Sequence, residues 1–170
     1  MLRFLFRGLT TENERGRPLF EAATALAREP HWYVEGAVQD TLDGRFAVLS
    51  TIIALIMTRL EREGHRGDLV SVALTERFIE VMESEHRELG LGDPTLGKTV
   101  RKLVAILARR TQLWRKTDSH EEGWNEATHE SLYRTTPSSA ALRHSADALA
   151  RIEKNLAGAT LDQLEQGQIR

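Results

Sequence analysis

The sequence predicts an all-α protein folded as one bundle of about five to seven helices. Apolar residues recur at intervals of three and four in nearly every long segment, and no segment alternates as a half-buried strand does. A length of 170 residues with 41% hydrophobic and 28% charged residues fits one domain with a sizeable core. Because we find no repeat, low-complexity run or long linker, residues 1–170 are assigned to a single domain.

Composition excludes several classes of function. The chain has no cysteine, which removes thiol nucleophiles, cysteine-ligated zinc, iron–sulfur clusters and disulfides together. A net charge of -2 provides no general attraction to nucleic acid or anionic lipid, so such binding requires a local patch. We therefore expect a cytoplasmic protein that does not bind DNA, with a peripheral membrane contact left open.

The opening segment, residues 1–7, is apolar but is interrupted by Arg3 and Arg7. It lacks the continuous apolar core of a signal peptide, and it could instead act as a short arm that touches a partner or a membrane. The longest apolar stretch, residues 47–57, is about half the roughly 20 residues that a membrane-spanning helix needs. That stretch is therefore predicted to be a buried core helix.

The first two helices follow from local signals. Pro18 suits the first turn of a helix over 18–28, and Pro30 disfavours its continuation, so residues 31–39 are expected to be irregular. The second helix should begin at Asp40, whose carboxylate can cap it. Its apolar residues recur at four and three and predict a seam at the centre of the core: Leu42, Phe46, Leu49, Ile53, Ile56 and Leu60.

The remaining helices are bounded by capping residues and glycines. A third helix should be capped by Asp68 and end at Gly90, where a glycine-rich loop begins. A fourth should begin at Asp93 and reach Lys116, a fifth should reach Tyr133, and a sixth should end before a last short turn. The fifth helix should start at Ser119 with Glu122, and the sixth at Pro137 with Ser138. The last short turn should start at Thr160 with Gln163.

The fourth helix is strongly basic, since residues 98–116 contain seven cations and no acidic residue. Its cationic stripe could meet phosphate, an anionic surface or an acidic partner. The alternative is a solvated face that the glutamates of the third helix neutralise. The cations are Lys98, Arg101, Lys102, Arg109, Arg110, Arg115 and Lys116, and the glutamates are Glu76, Glu80, Glu83, Glu85 and Glu88.

Residues 83–86 and 126–129 both have the Glu-x-x-His spacing that places two ligands on one helix face in di-iron bundles. A complete site also needs a carboxylate from each of two further helices. Glu61 or Glu63 could supply one of them, but both lie at the frayed end of the second helix and are expected to face solvent. Chance gives such pairs easily in a glutamate-rich chain. We therefore expect no metal and no cofactor, with a metal-dependent helical enzyme as an alternative.

Residues 92–99 satisfy the letter of the phosphate-loop pattern, but their context does not fit. A helix rather than a strand precedes them, Pro94 removes an N–H donor, and Asp93 places a negative charge beside the phosphate position. A turn between two helices is the favoured interpretation. Because the chain also lacks a Gly-x-Ser-x-Gly turn or an arguable triad, it is not expected to be an enzyme.

Several motifs together resemble the ubiquinol-cytochrome c chaperone family over residues 32–110. They are Trp32-Tyr33-Val34-Glu35-Gly36, Asp40-Thr41-Leu42-Asp43-Gly44-Arg45-Phe46, Arg87-Glu88-Leu89-Gly90-Leu91-Gly92-Asp93 and Gly97-Lys98. The resemblance implies an all-helical assembly factor for the respiratory reductase, acting on its cytochrome b subunit without catalysing a reaction. It also implies work close to the inner membrane. A ribosome or RNA adaptor that uses the basic helix 98–116 remains an alternative.

A chaperone for a hydrophobic client needs a surface with apolar and cationic character, because apolar contacts supply affinity and charges set orientation. His31 is followed by two large aromatic residues that either cover the core or mark a binding site. The partner-binding residues expected from the motifs and the basic helix are Trp32, Tyr33, Asp43, Gly44, Arg45, Arg87, Asp93, Lys98, Arg101 and Lys102.

Overall fold

The computed structural model describes residues 16–88, 93–117 and 120–169. This part of the chain contains seven α-helices and no strand, which confirms the predicted all-α bundle. The predicted features at residues 1–7, at 90–92 and at Ser119 lie outside the described residues. The helices are α1 (Arg17–Ala27), α2 (Leu42–Leu60), α3 (Gly64–Glu88), α4 (Asp93–Lys116), α5 (Glu121–Leu132), α6 (Ser139–Gly158) and α7 (Leu161–Glu165). None of the described helices combines the length and the apolar character needed to cross a membrane.

Helix α2 lies at the centre of the bundle and packs against α1, α3, α4, α5 and α6. Its central position was predicted, and five of the six seam residues belong to the core or pack against it, but the seam fails at Leu42 and the buried surface of α2 extends beyond it. Leu42 is 67% exposed, whereas Val48 and Leu55, which lie off the seam, are buried. Because other helices surround α2, most of its length has no solvent-facing side, and its apolar residues cannot be confined to one stripe.

The polar residues inside α2 bond to their own helix. Ser50 Oγ donates to the Phe46 carbonyl at 2.6 Å, and Thr51 Oγ1 donates to the Ala47 carbonyl at 2.7 Å. Both side chains are buried, so without these bonds each hydroxyl would carry a desolvation penalty. The helix is therefore buried on several sides without orphaned hydroxyls.

Two helix starts differ from the prediction. Thr41, not Asp40, caps α2, because Thr41 Oγ1 accepts a hydrogen bond from the Gly44 N–H at 3.2 Å. Helix α3 begins at Gly64 rather than after Asp68. Gly64 takes a φ of +57°, which glycine adopts without a steric penalty, so the chain turns there and helical geometry resumes four residues early.

The other boundaries agree closely with the sequence prediction. Helix α4 spans the predicted residues, and the Ser138 hydroxyl caps α6 by accepting from the Ala141 N–H at 3.1 Å. Thr160 and Gln163 form the predicted capping box at the start of α7. The 3₁₀ turn Pro30–Trp32 opens an otherwise irregular connection between α1 and α2.

Because α2 is the centre of the core, Ile56→Ala should lower the free energy of unfolding by about 2–5 kcal/mol. Ile56 is fully buried, and truncation leaves a cavity that the surrounding helices cannot fill. The matched control on the same helix is Leu42→Ala, which should change the free energy by no more than about 0.5 kcal/mol. Denaturant unfolding of both variants checks this, and similar losses would contradict the assigned core.

Candidate functional site

The aromatic pair after α1 caps that helix. Trp32 is fully buried and its Nε1–H donates to the Leu26 carbonyl at 2.8 Å, while the Tyr33 hydroxyl donates to the Ala27 carbonyl at 2.7 Å. Both carbonyls lie in the last turn of α1, where the helix itself provides no i+4 donor. Trp32 therefore offers no surface to a partner, and its expected role in binding is replaced by a structural one.

Tyr133 contacts the connection between α1 and α2 further along the chain, at Gly36. Its hydroxyl donates to the Gly36 carbonyl at 2.6 Å and lies 2.7 Å from Ser145 Oγ. Burial raises the pKa of Tyr133, and the Ser145 hydrogen bond offsets part of this rise. A Cβ at Gly36 would lie 2.6 Å from both Ser145 Oγ and the Trp32 carbonyl oxygen, so only glycine allows this close approach.

A histidine pair adds a contact that the sequence did not signal. His31 Nδ1 lies 3.0 Å from His144 Nε2, and His31 Nε2 lies 3.1 Å from Glu29 Oε2. These residues join the connection to α6 across more than a hundred positions of sequence, so no local pattern could indicate the contact.

The Asp-Gly-Arg segment at the start of α2 is bonded within the chain. Arg45 Nε lies 2.6 Å from Asp40 Oδ1, and the Arg45 guanidinium lowers the pKa of that carboxyl. Asp43 Oδ2 lies 2.8 Å from Arg134 Nη2, a partner that the sequence did not indicate. A Cβ at Gly44 would clash with the backbone of the preceding turn, so this glycine serves close packing.

Two exposed aliphatic side chains belong to the connection and to the start of α2. Val34 is 71% exposed and Leu42 is 67% exposed. Burial raises the pKa of Tyr33, and the charges of Arg45 and Asp40 also act on it, so the connection lies beside the start of α2. We call the exposed residues here the motif surface: Val34, Asp40, Leu42, Asp43 and Arg45.

Two cations in the C-terminal half of the basic helix form ion pairs with distant carboxylates. Arg109 Nη2 lies 3.0 Å from Glu130 Oε1, and Arg115 binds Glu61 with two guanidinium nitrogens. These carboxylates belong to α5 and to the turn after α2. The expectation that glutamates of the third helix neutralise the stripe is therefore wrong for this half of the helix.

Arg110 is the most buried cation of that half. Its Nη2 donates to the Ser131 carbonyl at 2.8 Å, and its guanidinium carbon lies 5.8 Å from the centre of the Phe46 ring. Burial, together with the charge of Arg109, lowers the pKa of Arg110 to about 10. This side chain belongs to the interior rather than to a binding surface.

The N-terminal half of α4 differs, because Lys98, Arg101 and Lys102 are exposed and form no ion pair with a described residue. Their spacing of three and four places them on one face of the helix. We call these three residues the cationic surface. Arg87, in the last turn of α3, is also exposed and forms no ion pair within the described chain, whereas the side chain of Asp93 lies outside the described residues.

The two Glu-x-x-His segments, residues 83–86 and 126–129, lie on α3 and α5. Helix α3 packs against α1, α2 and α4, whereas α5 packs against α2, α4 and α6. No group of three or more histidine, aspartate or glutamate side chains suited to a metal ion occurs in the described part of the chain. The side chain of His86 lies outside that part.

The residues that match the phosphate-loop pattern do not form such a loop where the structure describes them. Residues 93–99 form the first turns of α4, and helix α3 precedes them in the chain. The interpretation as a turn between helices is therefore wrong for residues 93–99, because they are helical and Gly97 has no positive φ.

The family of ubiquinol-cytochrome C chaperones matches residues 35–166. The chain belongs to the ubiquinol-cytochrome C chaperone family. The match extends well past the residues that carry the resemblance in the sequence and includes all of α5, α6 and α7. Membership of this family supports a role as an assembly chaperone for ubiquinol-cytochrome c reductase.

A solved structure shares the whole architecture. The crystal structure of the Cbp3 homolog from Brucella abortus superposes with a TM-score of 0.76 and covers 98% of this chain and 94% of that chain, at 24% sequence identity. At this identity the likeness establishes the fold alone. No curated protein shows significant sequence similarity to the chain.

Tyr133→Phe should lower the free energy of unfolding by about 1 kcal/mol at neutral pH, because the Gly36 carbonyl loses its donor. Above pH ~10 the phenol of Tyr133 ionises in the unfolded chain but stays neutral in the folded chain, because its pKa is raised there. Ionisation stabilises the unfolded state of the wild type, so the contribution of Tyr133 to the free energy of unfolding falls. The deficit of the variant should therefore shrink at alkaline pH. Denaturant unfolding on both sides of this pH measures it, and a deficit that grows would contradict the assigned bond.

Proposed function

We propose that the chain is a non-enzymatic assembly chaperone that binds cytochrome b during biogenesis of ubiquinol-cytochrome c reductase. Membership of the chaperone family supports the role in assembly. The observation that carries the choice of binding site is the cationic surface, whose three side chains are exposed and form no ion pair with a described residue.

The two halves of α4 differ in what they can gain from a partner. Arg109 and Arg115 already face carboxylates, so a client would have to compete with those contacts. The residues of the cationic surface are hydrated in the free protein, and an acidic group or a row of carbonyl oxygens on a client would be a new partner for them. The cations thereby orient the client and accelerate its capture.

Affinity for a membrane protein also requires apolar contacts. On the motif surface, the side chains of Val34 and Leu42 are apolar and exposed, and the pairs Asp40–Arg45 and Asp43–Arg134 border Leu42 in the chain. Such a border suits a client that presents a hydrophobic segment beside a polar end. Of the residues expected from the sequence, Arg87, Lys98, Arg101 and Lys102 are retained as cations for the client, and Tyr33 contributes its exposed edge. Asp43 and Arg45 are retained only as the paired border of the apolar side chains.

Cytochrome b is embedded in a membrane, so its chaperone must act where the newly made chain meets the bilayer. We propose that this protein works on the cytoplasmic side as a peripheral contact of the inner membrane. The same free cations would suit ribosomal RNA, and binding of that kind would weaken steeply as salt rises. A capture experiment distinguishes cytochrome b from the ribosome as the partner.

The triple variant Lys98→Glu, Arg101→Glu and Lys102→Glu should capture at least about tenfold less cytochrome b than the tagged wild type. The reason is that three attractive charges become repulsive on one helix face. Capture is measured from detergent-solubilised native membranes by mass spectrometry and by haem b absorbance. The matched control is Arg143→Glu, Arg151→Glu and Lys154→Glu, which makes the same charge change at exposed positions of α6 and should retain most of the capture.

Each result of this experiment is informative. Equal loss in both triple variants would assign the effect to net charge and contradict a specific cationic surface. Capture of ribosomal proteins by the wild type, without cytochrome b and with a steep dependence on salt, would replace the proposal by the adaptor function.

A further inference from the structure

Two histidines join the connection between α1 and α2 to helix α6. The distance from His31 Nδ1 to His144 Nε2 is 3.0 Å, and the centres of the two rings lie 5.1 Å apart. Two ring nitrogens at this distance form a hydrogen bond only if one carries a proton and the other a lone pair. On the other side of the first ring, His31 Nε2 lies 3.1 Å from Glu29 Oε2.

The carboxylate of Glu29 fixes the direction of these hydrogen bonds. An ionised carboxylate only accepts, so His31 Nε2 donates to Glu29, and Nδ1 of the neutral His31 ring carries the lone pair. His144 Nε2 must then donate to His31 Nδ1. The first added proton can therefore bind at His144 Nδ1 without disturbing either hydrogen bond.

A second added proton conflicts with the contact. It would have to bind at His31 Nδ1, where an N–H group would face the N–H of His144 at 3.0 Å and two cationic rings would meet. The side chain of His31 is 27% exposed and His144 is half-buried, so water screens this repulsion only in part. The folded pair therefore holds one added proton, whereas the same two rings take up two in the unfolded chain.

Neighbouring charges do not remove this conflict. Glu29 can balance one cationic ring, and no other described residue forms an ion pair with either histidine. Tyr133 bonds to Ser145, next to His144, but burial raises the pKa of this phenol and keeps it neutral in acid. The other charged residues near the pair in the sequence are exposed: Arg28, Glu35, Arg134, Arg143 and Asp147.

The pair holds a turn that carries part of the motif surface. The backbone N–H groups of Val34, Gly36 and Val38 donate to the carbonyls of residues 30–32 at distances of 2.8 to 3.0 Å. Val34 is also one of the two exposed aliphatic residues of that surface. Loss of the contact with α6 would remove one attachment of this turn, so the turn should open more often.

We propose that His31 and His144 form a pH-responsive contact, which holds the connection against α6 near neutral pH and releases it in acid. The contact persists with one added proton and breaks with two, so release occurs where imidazoles become fully protonated, between about pH 6.5 and 5. In this range the unfolded chain binds more protons than the folded chain, so stability falls as the pH falls. The inference holds whether or not the chain binds cytochrome b.

Amide hydrogen exchange tests the release, because it reports how often the turn opens. The wild type is compared with His144→Gln at about pH 7.5 and about pH 5.5, where carboxylates remain ionised. Each exchange rate is divided by the rate of the unstructured sequence at the same pH. Glutamine donates to a neutral His31 ring and accepts from a protonated one, so it keeps the contact without a second charge. The matched control is His65→Gln, which removes an exposed histidine of α3.

In the wild type, the protection of the Val34, Gly36 and Val38 amides should fall at least about fivefold from neutral to acid pH. His144→Gln should show no such fall, and His65→Gln should match the wild type. Wild-type protection that does not change with pH would overturn the proposal. An equal fall in His144→Gln would also overturn it, because another group would then be responsible. Neither result bears on the capture of cytochrome b.

Discussion

The burial of α2 on several sides is the constraint on which the rest of the structure depends. A helix surrounded by five others can contain polar residues only if they bond within the helix, as Ser50 and Thr51 do. The N-terminal end of α2 reaches the surface of the bundle, where Leu42 is exposed. The connection that leads to this end is held by Trp32 and by Tyr133, whose side chains donate hydrogen bonds to the Leu26 and Gly36 carbonyls. The motif surface is therefore presented on a fixed backbone.

The proposed function depends on which polar groups are paired within the described chain and which are not. Around the start of α2, each charged residue of the Asp-Gly-Arg segment has a partner in the chain, so the exposed aliphatic residues are what this surface offers. On α4, Arg109 and Arg115 are paired by distant carboxylates, whereas the cationic surface is not paired by any described residue. An assembly chaperone needs this division, because a client must gain contacts without breaking those that hold the chaperone together.

The sequence predicted those features that depend on neighbours in the chain. The bounds of α4 and the capping box of α7 follow from residues a few positions apart, and the structure has both. It could not predict that Leu42 is exposed or that Arg115 binds Glu61, because both depend on where distant helices pack. Trp32 shows the same limit, since an aromatic residue in an irregular segment suits a core or a binding site equally well until its burial is known.

A clean deletion of the gene tests whether this chain assists assembly of ubiquinol-cytochrome c reductase. The amount of reductase in membranes is measured by haem b difference spectra and by quantitative mass spectrometry, beside the level of the reductase transcript. We predict that reductase falls several-fold while the transcript is unchanged, and that a copy of the wild-type gene restores it. Normal reductase content in the deletion strain would show that the chain is not needed for assembly.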